Sequence, residues 1–269
     1  MSTRPAKSTD RGARWSTLLG LLAEHGRLSV SEVVERLGVS EATVRRDFGD
    51  LAAQQLVTRT HGGIVATAVA YDLPARYKQA GADSAKEEIA AYAADLPAEG
   101  SVVGFNGGTT TSAVARRLAA RSDLAMSTTR PAITVVTNAL NIATEMVLRP
   151  FIRCVSLGGV ARPESYELAG PLASMVLAEL WLDTLVLGVD AVSASAGATC
   201  HHEGEAGVNS LMVQRADRVV VVATGSKLGA RSFARICPAN QIDLVVTDDS
   251  ADPSAIADLR TAGVAVEVV

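Results

Sequence analysis

The sequence predicts an α/β protein: an N-terminal winged helix-turn-helix followed by a domain built on a parallel sheet. Three observations predict it. Residues 27–66 hold two short amphipathic patterns separated by Gly38-Val39-Ser40, then two apolar runs around Gly62-Gly63. From residue 83 onward, Val/Leu/Ile runs alternate with helical patterns, the signature of strands covered by helices on both faces. Between them in importance stands Val102 to Leu118, VVGFNGGTTTSAVARRL, an apolar run that turns through two glycines and enters a helical pattern through three threonines.

Composition narrows the classes. The chain has 269 residues, 48% hydrophobic and only 20% charged, so it supports a large core and is not globally disordered. Aromatics are 4%, which leaves the core to Val, Leu, Ile and Ala. No apolar run nears the roughly 20 residues of a membrane span. The start, MSTRPAKSTDRGAR, has no apolar stretch of the secretory kind. Cys154, Cys200 and Cys237 are far apart, odd in number and not spaced for a metal, which suits a reducing compartment; a cytoplasmic location is expected. Net charge is −4 but uneven: residues 1–65 carry nine Lys and Arg against seven Asp and Glu, the remainder 16 against 22. That asymmetry fits a small DNA-facing module on an acidic body and argues against indiscriminate nucleic-acid binding.

The expected boundaries are a flexible leader over 1–12, a winged helix-turn-helix over 13–66, a linker over 67–82 containing Pro74, and the α/β domain over 83–269. In the head, Trp15, Leu18, Leu19 and Leu22 recur at helical spacing and Gly26 closes the pattern. Ser29 or Ser31 caps a second helix with Val33, Val34 and Leu37 inward, ended by Gly38. Ser40 caps a third, with Val44, Phe48 and Leu51 inward. The N-terminal half of that third helix enters a major groove in this motif, and it carries Glu41, Thr43, Arg45 and Arg46. Arg bonds guanine bidentately or holds phosphate, and Thr contacts a base edge or a phosphate. Glu41 and Arg45 also stand i,i+4, as on a solvated face. Leu56 to Thr67 then reads as a hairpin wing, with Arg59 and His61 near its tip.

In the body, the predicted order is a helix over 84–96, a strand over 101–105, a helix over 109–120, a strand at AITVVT, a helix at NALNIATEMVL and a strand and turn at FIRCVSLGG. Then come GPLASMVLAELWL (helix), DTLVLGVD (strand), EAGVNSLMVQRA (helix), DRVVVVAT and IDLVVTD (strands), PSAIADLRTAG (helix) and VAVEVV (strand). Ligands of such sheets bind beyond the carboxyl ends of the strands. The residues there are Asn106, Gly107, Gly108, Thr109, Thr110, Thr111, Thr137, Asn138, Gly158, Gly159, Asp190 and Lys227, with Thr224 on the same loop as Lys227. Unpaired N–H groups at a helix start, small hydroxyls and a lysine suit phosphate; Asn138 and Asp190 suit sugar hydroxyls. No lysine sits in the glycine loop, so it is not a GxxxxGK[ST] nucleotide loop, nor is it GxGxxG. His201-His202-Glu203 has no third ligand at helical spacing. It reads as a loop entering the next helix, with His202 and Glu205 facing the rim. No metal, cofactor or catalytic residue is expected.

Two strings carry a resemblance. Thr43-Val44-Arg45-Arg46-Asp47-Phe48, followed by Arg59-Thr60-His61-Gly62-Gly63, is similar to the DNA-binding domain of the DeoR family of bacterial transcriptional regulators, with Phe48 where the family has Leu. GGTTT, VVTN (135–138), LGG (157–159), ELAGP (167–171), SKLG (226–229) and IDLVVTD resemble that family's sensor domain, itself related to ribose-5-phosphate isomerase and glucosamine-6-phosphate deaminase. The chain departs from the pattern at Asn106 and Thr224, where the family has Asp, and at Ala191, where it has Gly. The resemblance implies a sequence-specific repressor of a sugar or sugar-alcohol operon. Its partners would be double-stranded operator DNA, a phosphorylated sugar or sugar-alcohol effector and copies of itself (dimer or tetramer), with no membrane. The alternative is a sugar-phosphate isomerase or deaminase carrying a DNA-binding head, with Asp190, Glu205 and His202 as acid–base groups. It lacks the paired aspartates and the Lys-Gly-Gly run of the isomerase pattern. An architectural DNA-binding protein would need a basic body, not an acidic one.

Overall fold

The computed structural model describes residues 11, 14, 15, 17, 18, 21, 22, 27–53, 57–60, 62–66 and 84–269. Outside the described residues lie the expected leader over 1–12 apart from Arg11, the whole expected linker over 67–82, and Leu19, Gly26 and His61. The chain forms two compact units, Met1–Gln79 and Ala80–Val269.

In the first unit the described residues from 11 to 22 are helical. β1 (Arg27–Ser29) follows, then α1 (Val30–Leu37), α2 (Glu41–Ala53), β2 (Val57–Thr60) and β3 (Gly63–Ala66). Ser29 and Glu32 close a reciprocal capping box on α1, so Ser29 rather than Ser31 is the cap. Gly38 ends α1 in the left-handed region at φ 64°, where a Cβ would be strained. Ser40 Oγ accepts the Thr43 N–H at 3.2 Å, which starts α2. The wing is three-stranded, in the order β1-β3-β2, all antiparallel. β1 was not foreseen: three residues, RLS, carry no alternation and are strand only because they pair with β3. That pairing is tight. A Cβ on Gly63 would lie 2.0 Å from the Leu28 carbonyl oxygen. Leu18, Leu22, Leu28, Val33, Val44, Phe48, Leu51, Val57 and Ile64 form one buried core.

The second unit is a seven-stranded sheet, all parallel. Its members are β4 (Val102–Phe105), β5 (Ile133–Thr137), β6 (Ile152–Ser156), β9 (Thr184–Gly188), β12 (Val219–Val222), β14 (Leu244–Thr247) and β15 (Ala265–Val268), in the order β15-β14-β12-β9-β4-β5-β6. Burial alternates along each strand. Leu185, Leu187, Val221 and Val245 pack with Leu177, Met212 and Leu259 of α7 (Pro171–Leu177), α8 (Glu203–Gln214) and α9 (Pro253–Thr261). Val186, Val220, Val222 and Val246 pack with Ile89, Val114, Leu118 and Ile142 of α3 (Ser84–Asp95), α4 (Thr109–Ala119) and α6 (Leu140–Met146). Both faces are therefore covered, as continuous apolar strands require.

Six smaller elements do not show in the sequence pattern. They are α5 (Ser122–Met126), the hairpin of β7 (Val160–Ala161) and β8 (Leu168–Ala169), and an antiparallel sheet of β10 (Ala191–Ser193), β11 (Gly197–Cys200) and β13 (Ala234–Cys237). Each is five residues or shorter, too short for a period to show. The helix expected over 170–182 stops at Leu177, and the one expected from 205 begins at Glu203.

Candidate functional site

The connections run from β4 to β5 to β6 on one side, then return to place β9 on the other side of β4. The strand order reverses between β4 and β9, and that crevice at the carboxyl ends is where an open parallel sheet binds ligands. Asn106 sits in it, buried. Its Nδ2 donates to the Gly188 carbonyl at 2.9 Å and its Oδ1 accepts the Gly188 N–H at 2.7 Å. Asn106 thus clamps β4 to β9, which an Asp could not do, having no donor.

Beyond it, Gly108 adopts φ 126° and heads α4, and no side chain caps that helix. The first backbone bond, Ser112 N to Gly108 O, leaves the N–H groups of Thr109, Thr110 and Thr111 to the helix start. The hydroxyls of Thr111 and Ser112 turn back to the Gly108 carbonyl, at 3.0 and 2.7 Å. The Thr111 hydroxyl hydrogen therefore goes to the backbone of the turn. Thr109 is exposed and Thr110 buried. The open N-terminus of this eleven-residue helix favours negative charge.

The other rim residues divide. Lys227, in a short 3₁₀ turn, donates from Nζ to the Val189 carbonyl at 2.5 Å. Burial holds its pKa below the usual lysine value, with Asp190 opposing. Asp190 accepts the His201 N–H at 2.8 Å. Thr137 Oγ1 accepts the Ala139 N–H, and Asn138 Nδ2 donates to Glu167 at 3.0 Å. Gly158 is exposed, while Gly159 turns the chain into β7 at φ 136°, where a Cβ would meet the Ala169 carbonyl at 2.7 Å. His202 caps α8, its Nδ1 accepting the Gly204 N–H at 3.0 Å. Glu205 is held by Arg162 Nε at 2.8 Å and Ser165 Oγ at 2.5 Å.

Two residues outside the predicted set matter here. Glu167, 4% exposed, projects against Gly107; a Cβ on that glycine would lie 2.6 Å from Glu167 Oε1. Burial, aided by the Glu205 charge, pushes its pKa up to about 7. It opens the ELAGP string, and nothing local in the sequence marks it as buried. Asp248, at the end of β14, accepts the Gly225 and Ser250 N–H groups at 2.8 and 3.0 Å. A carboxylate therefore still organises the loop in which Thr224 replaces Asp.

In the first unit, Thr43, Arg45 and Arg46 project from the first turns of α2, Arg45 and Arg46 exposed. Arg45 is held by Glu41 at 2.6 and 2.9 Å, the i,i+4 pair foreseen. Ser40 Oγ and Thr43 Oγ1 are 2.8 Å apart. Arg59 is exposed on β2. Asp47 faces inward: Arg14 donates to both its oxygens at 2.7 and 3.0 Å, and Trp15 Nε1 donates at 3.1 Å. Burial raises its pKa, but those donors outweigh burial and hold it below the usual carboxylate value.

Among the described residues no helix is long and apolar enough to cross a membrane. Residues 14–68 match the model of the DeoR-like helix-turn-helix domain, and residues 82–249 that of the DeoR C-terminal sensor domain. The chain is similar to the HTH-type transcriptional regulator GlpR of Haloferax volcanii, 33% identical over 93% of this chain and 94% of that one. It is also similar to the glycerol-3-phosphate regulon repressor of Escherichia coli K12, 27% identical over 87% of this chain and 90% of the repressor. Among solved structures, ribose 5-phosphate isomerase A of Methanocaldococcus jannaschii covers 53% of this chain and 52% of its own at 19% identity and a TM-score of 0.36. With a helix-turn-helix match at one end and a sensor match over most of the sheet, the chain belongs to the DeoR family of DNA-binding transcriptional regulators.

Proposed function

We propose that the protein represses a sugar or sugar-alcohol catabolic operon, and that a phosphorylated sugar or polyol bound at the strand-end rim controls its DNA affinity. The observation that carries the effector half is the uncapped N-terminus of α4 at the crevice between β4 and β9. Thr109 and Thr110 with their backbone N–H groups take the phosphate, aided by Lys227. The Gly107-Gly108 turn allows the close approach. Asp190 and Asn138 lie toward the hydroxyls. The similarity to a glycerol-3-phosphate regulon repressor supports that ligand class. On the DNA side, Thr43, Arg45 and Arg46 read the major groove, and Ser40, Arg59 and His61 hold phosphates. A dimer or tetramer presents its heads to paired half-sites.

The test is fluorescence anisotropy with DNA from upstream of the protein's own gene, titrated with glycerol 3-phosphate, glucitol 6-phosphate and fructose 6-phosphate. The expected result is nanomolar binding that at least one ester weakens about tenfold or more, a coupling typical of allosteric regulators. Tight binding that no ester changes would overturn the effector half. Loss of sequence preference in Arg46→Ala is expected too; unchanged preference would remove Arg46 from the interface.

A further inference from the structure

The seven-stranded sheet has two edges, and the chain treats them differently. At one end β15 is tied off. The Arg260 guanidinium donates to the Val266 carbonyl at 2.9 Å, and Glu267 stands exposed on that strand. Charged side chains of this kind keep an edge from pairing. At the other end β6 pairs with β5, and among the described residues no strand lies on its other side. An open edge presents N–H and C=O groups that another strand can take up.

The elements around β6 leave apolar side chains in solvent. α6 packs on one face of the strand, where the Cys154 thiol donates to the Ala143 carbonyl at 3.8 Å. The turn from α6 into β6 exposes Val147 and Leu148, the latter 74% exposed. Past the other end of β6, Gly158 lies against α7: a Cβ added there would be 3.8 Å from that of Leu172. β7 follows with Val160, 75% exposed. α7 carries no charged residue and is apolar toward solvent as well as toward the core: Ala173 and Leu177 are buried, while Leu172, Met175 and Val176 are exposed. A helix that is apolar all round is normally covered all round. The six exposed side chains present on the order of 500 Å² of apolar surface. A standard interface takes about 800 Å² from each partner, roughly two-thirds of it apolar in homodimers.

We propose that a second copy of this chain docks on the β6 edge, its own β6 running antiparallel to the first about a two-fold axis. Three features select a second copy. An axis through the middle of β6 brings the turn before the strand in each copy, with Val147 and Leu148, to the turn after the strand in the other, with Val160, so apolar ends meet apolar ends. The register centred on Cys154 sets Arg153, the strand's one charge, opposite Val155 and not opposite its own copy. Residues 66–269 carry 16 Lys and Arg against 22 Asp and Glu, so two sensor units repel except where acidic side chains are absent, as on β6 and α7. The inference rests on the reading above for the need of two heads at paired half-sites, and it names the face that joins them.

The experiment is sedimentation equilibrium of the full-length protein, without DNA or ester, for wild type, Leu148→Glu, Met175→Glu and Phe233→Glu. Phe233, 79% exposed in the loop before β13, is the control. Wild type is expected to form dimers or dimers of dimers. Leu148→Glu and Met175→Glu should each raise the dissociation constant of one association step at least about thirtyfold, the effect of losing a central interface side chain. Phe233→Glu should leave it unchanged. All three side chains are exposed in the single chain, so the variants keep their fold, which circular dichroism checks. A wild type that sediments as a monomer overturns the inference, whatever other partner then covers the face. Association unchanged in both Leu148→Glu and Met175→Glu overturns it as well, and so does a loss in Phe233→Glu as large as in those two. Since neither DNA nor ester is present, an operator affinity that no ester changes overturns the effector reading and leaves this interface standing.

Discussion

Glu167 links burial to a pH response. Its carboxyl titrates at about 7 in the fold against a usual value of 4.5. The folded protein therefore holds a proton that the unfolded chain gives up first. The stability tied to that proton is fully present below about pH 4.5 and is lost as pH rises through about 7. Spread over that window it amounts to roughly 3 kcal/mol, at 1.36 kcal/mol per pH unit of displacement. Denaturant melts of wild type and Glu167→Gln at a series of pH values should show the variant gaining on the wild type between pH 5 and 8; parallel curves would mean that Glu167 titrates normally. Asp47 presents the opposite case. It is buried and held by Arg14 and Trp15, so Asp47→Ala removes a buried ion pair and the Trp15 acceptor and should cost about 3–5 kcal/mol in the DNA-binding unit. A thermal melt monitored at Trp15 would read it, and a loss under about 1 kcal/mol would show the pair to be solvated. Within the Thr-Val-Arg-Arg-Asp-Phe string the two arginines therefore face solvent, and the aspartate holds the first helix to α2.

At the scale of elements, what the sequence made legible was whatever has a period or a cap. The seven parallel strands, the helices between them, the capping serines and the glycine that ends α1 all follow from alternation and residue chemistry. Short pieces did not show: β1 exists only through β3, a partner distant in sequence, and β7, β8 and β10 are two- or three-residue strands of local hairpins, too short for a period. The site was legible to the same degree. The loops after β4, β5, β6, β9 and β12 lie on one edge because a parallel sheet puts its strand ends there. Which side chains are committed within the fold was not legible: Asn106 to Gly188, Thr111 to Gly108, His202 to Gly204 and Glu205 to Arg162. Glu167 escaped notice because nothing local marks a glutamate that is buried by a loop reaching Gly107. That contact gives a prediction for the turn before α4. A methyl group at Gly107 would stand 2.5 Å from Glu167 Cγ, so Gly107→Ala must displace the glutamate or the turn. A destabilisation of about 1–3 kcal/mol is expected, the usual cost of overpacking a dense site. It should come with weaker binding of hydroxylated phosphate esters. An unchanged melting temperature would mean that Glu167 moves aside freely.

For the whole molecule the charge division sets the terms. The first 65 residues carry a net +2 and the remainder −6, so the sensor unit repels DNA and the heads must supply all the attraction. If one head with so small an excess binds weakly at physiological salt, specific affinity would come from engaging two half-sites at once, as the proposed dimer or tetramer would. A duplex with both half-sites intact should bind at least about tenfold tighter than one with a half-site scrambled, the low end of what linked binding provides. Equal affinities would mean that a single head suffices. Control by an effector then has a consequence fixed by thermodynamics alone. If an ester weakens operator binding by some factor, saturating operator must weaken binding of that ester by the same factor, because both are read from one closed cycle. Calorimetric titration of the protein with the ester, alone and on operator DNA, measures the second factor; anisotropy measures the first. Agreement within about twofold is expected, a difference of roughly 0.4 kcal/mol at 25 °C. An ester that weakens operator binding tenfold yet binds equally well to free and DNA-bound protein would be acting by some route other than the rim of this sheet, such as direct competition of its phosphate for the heads.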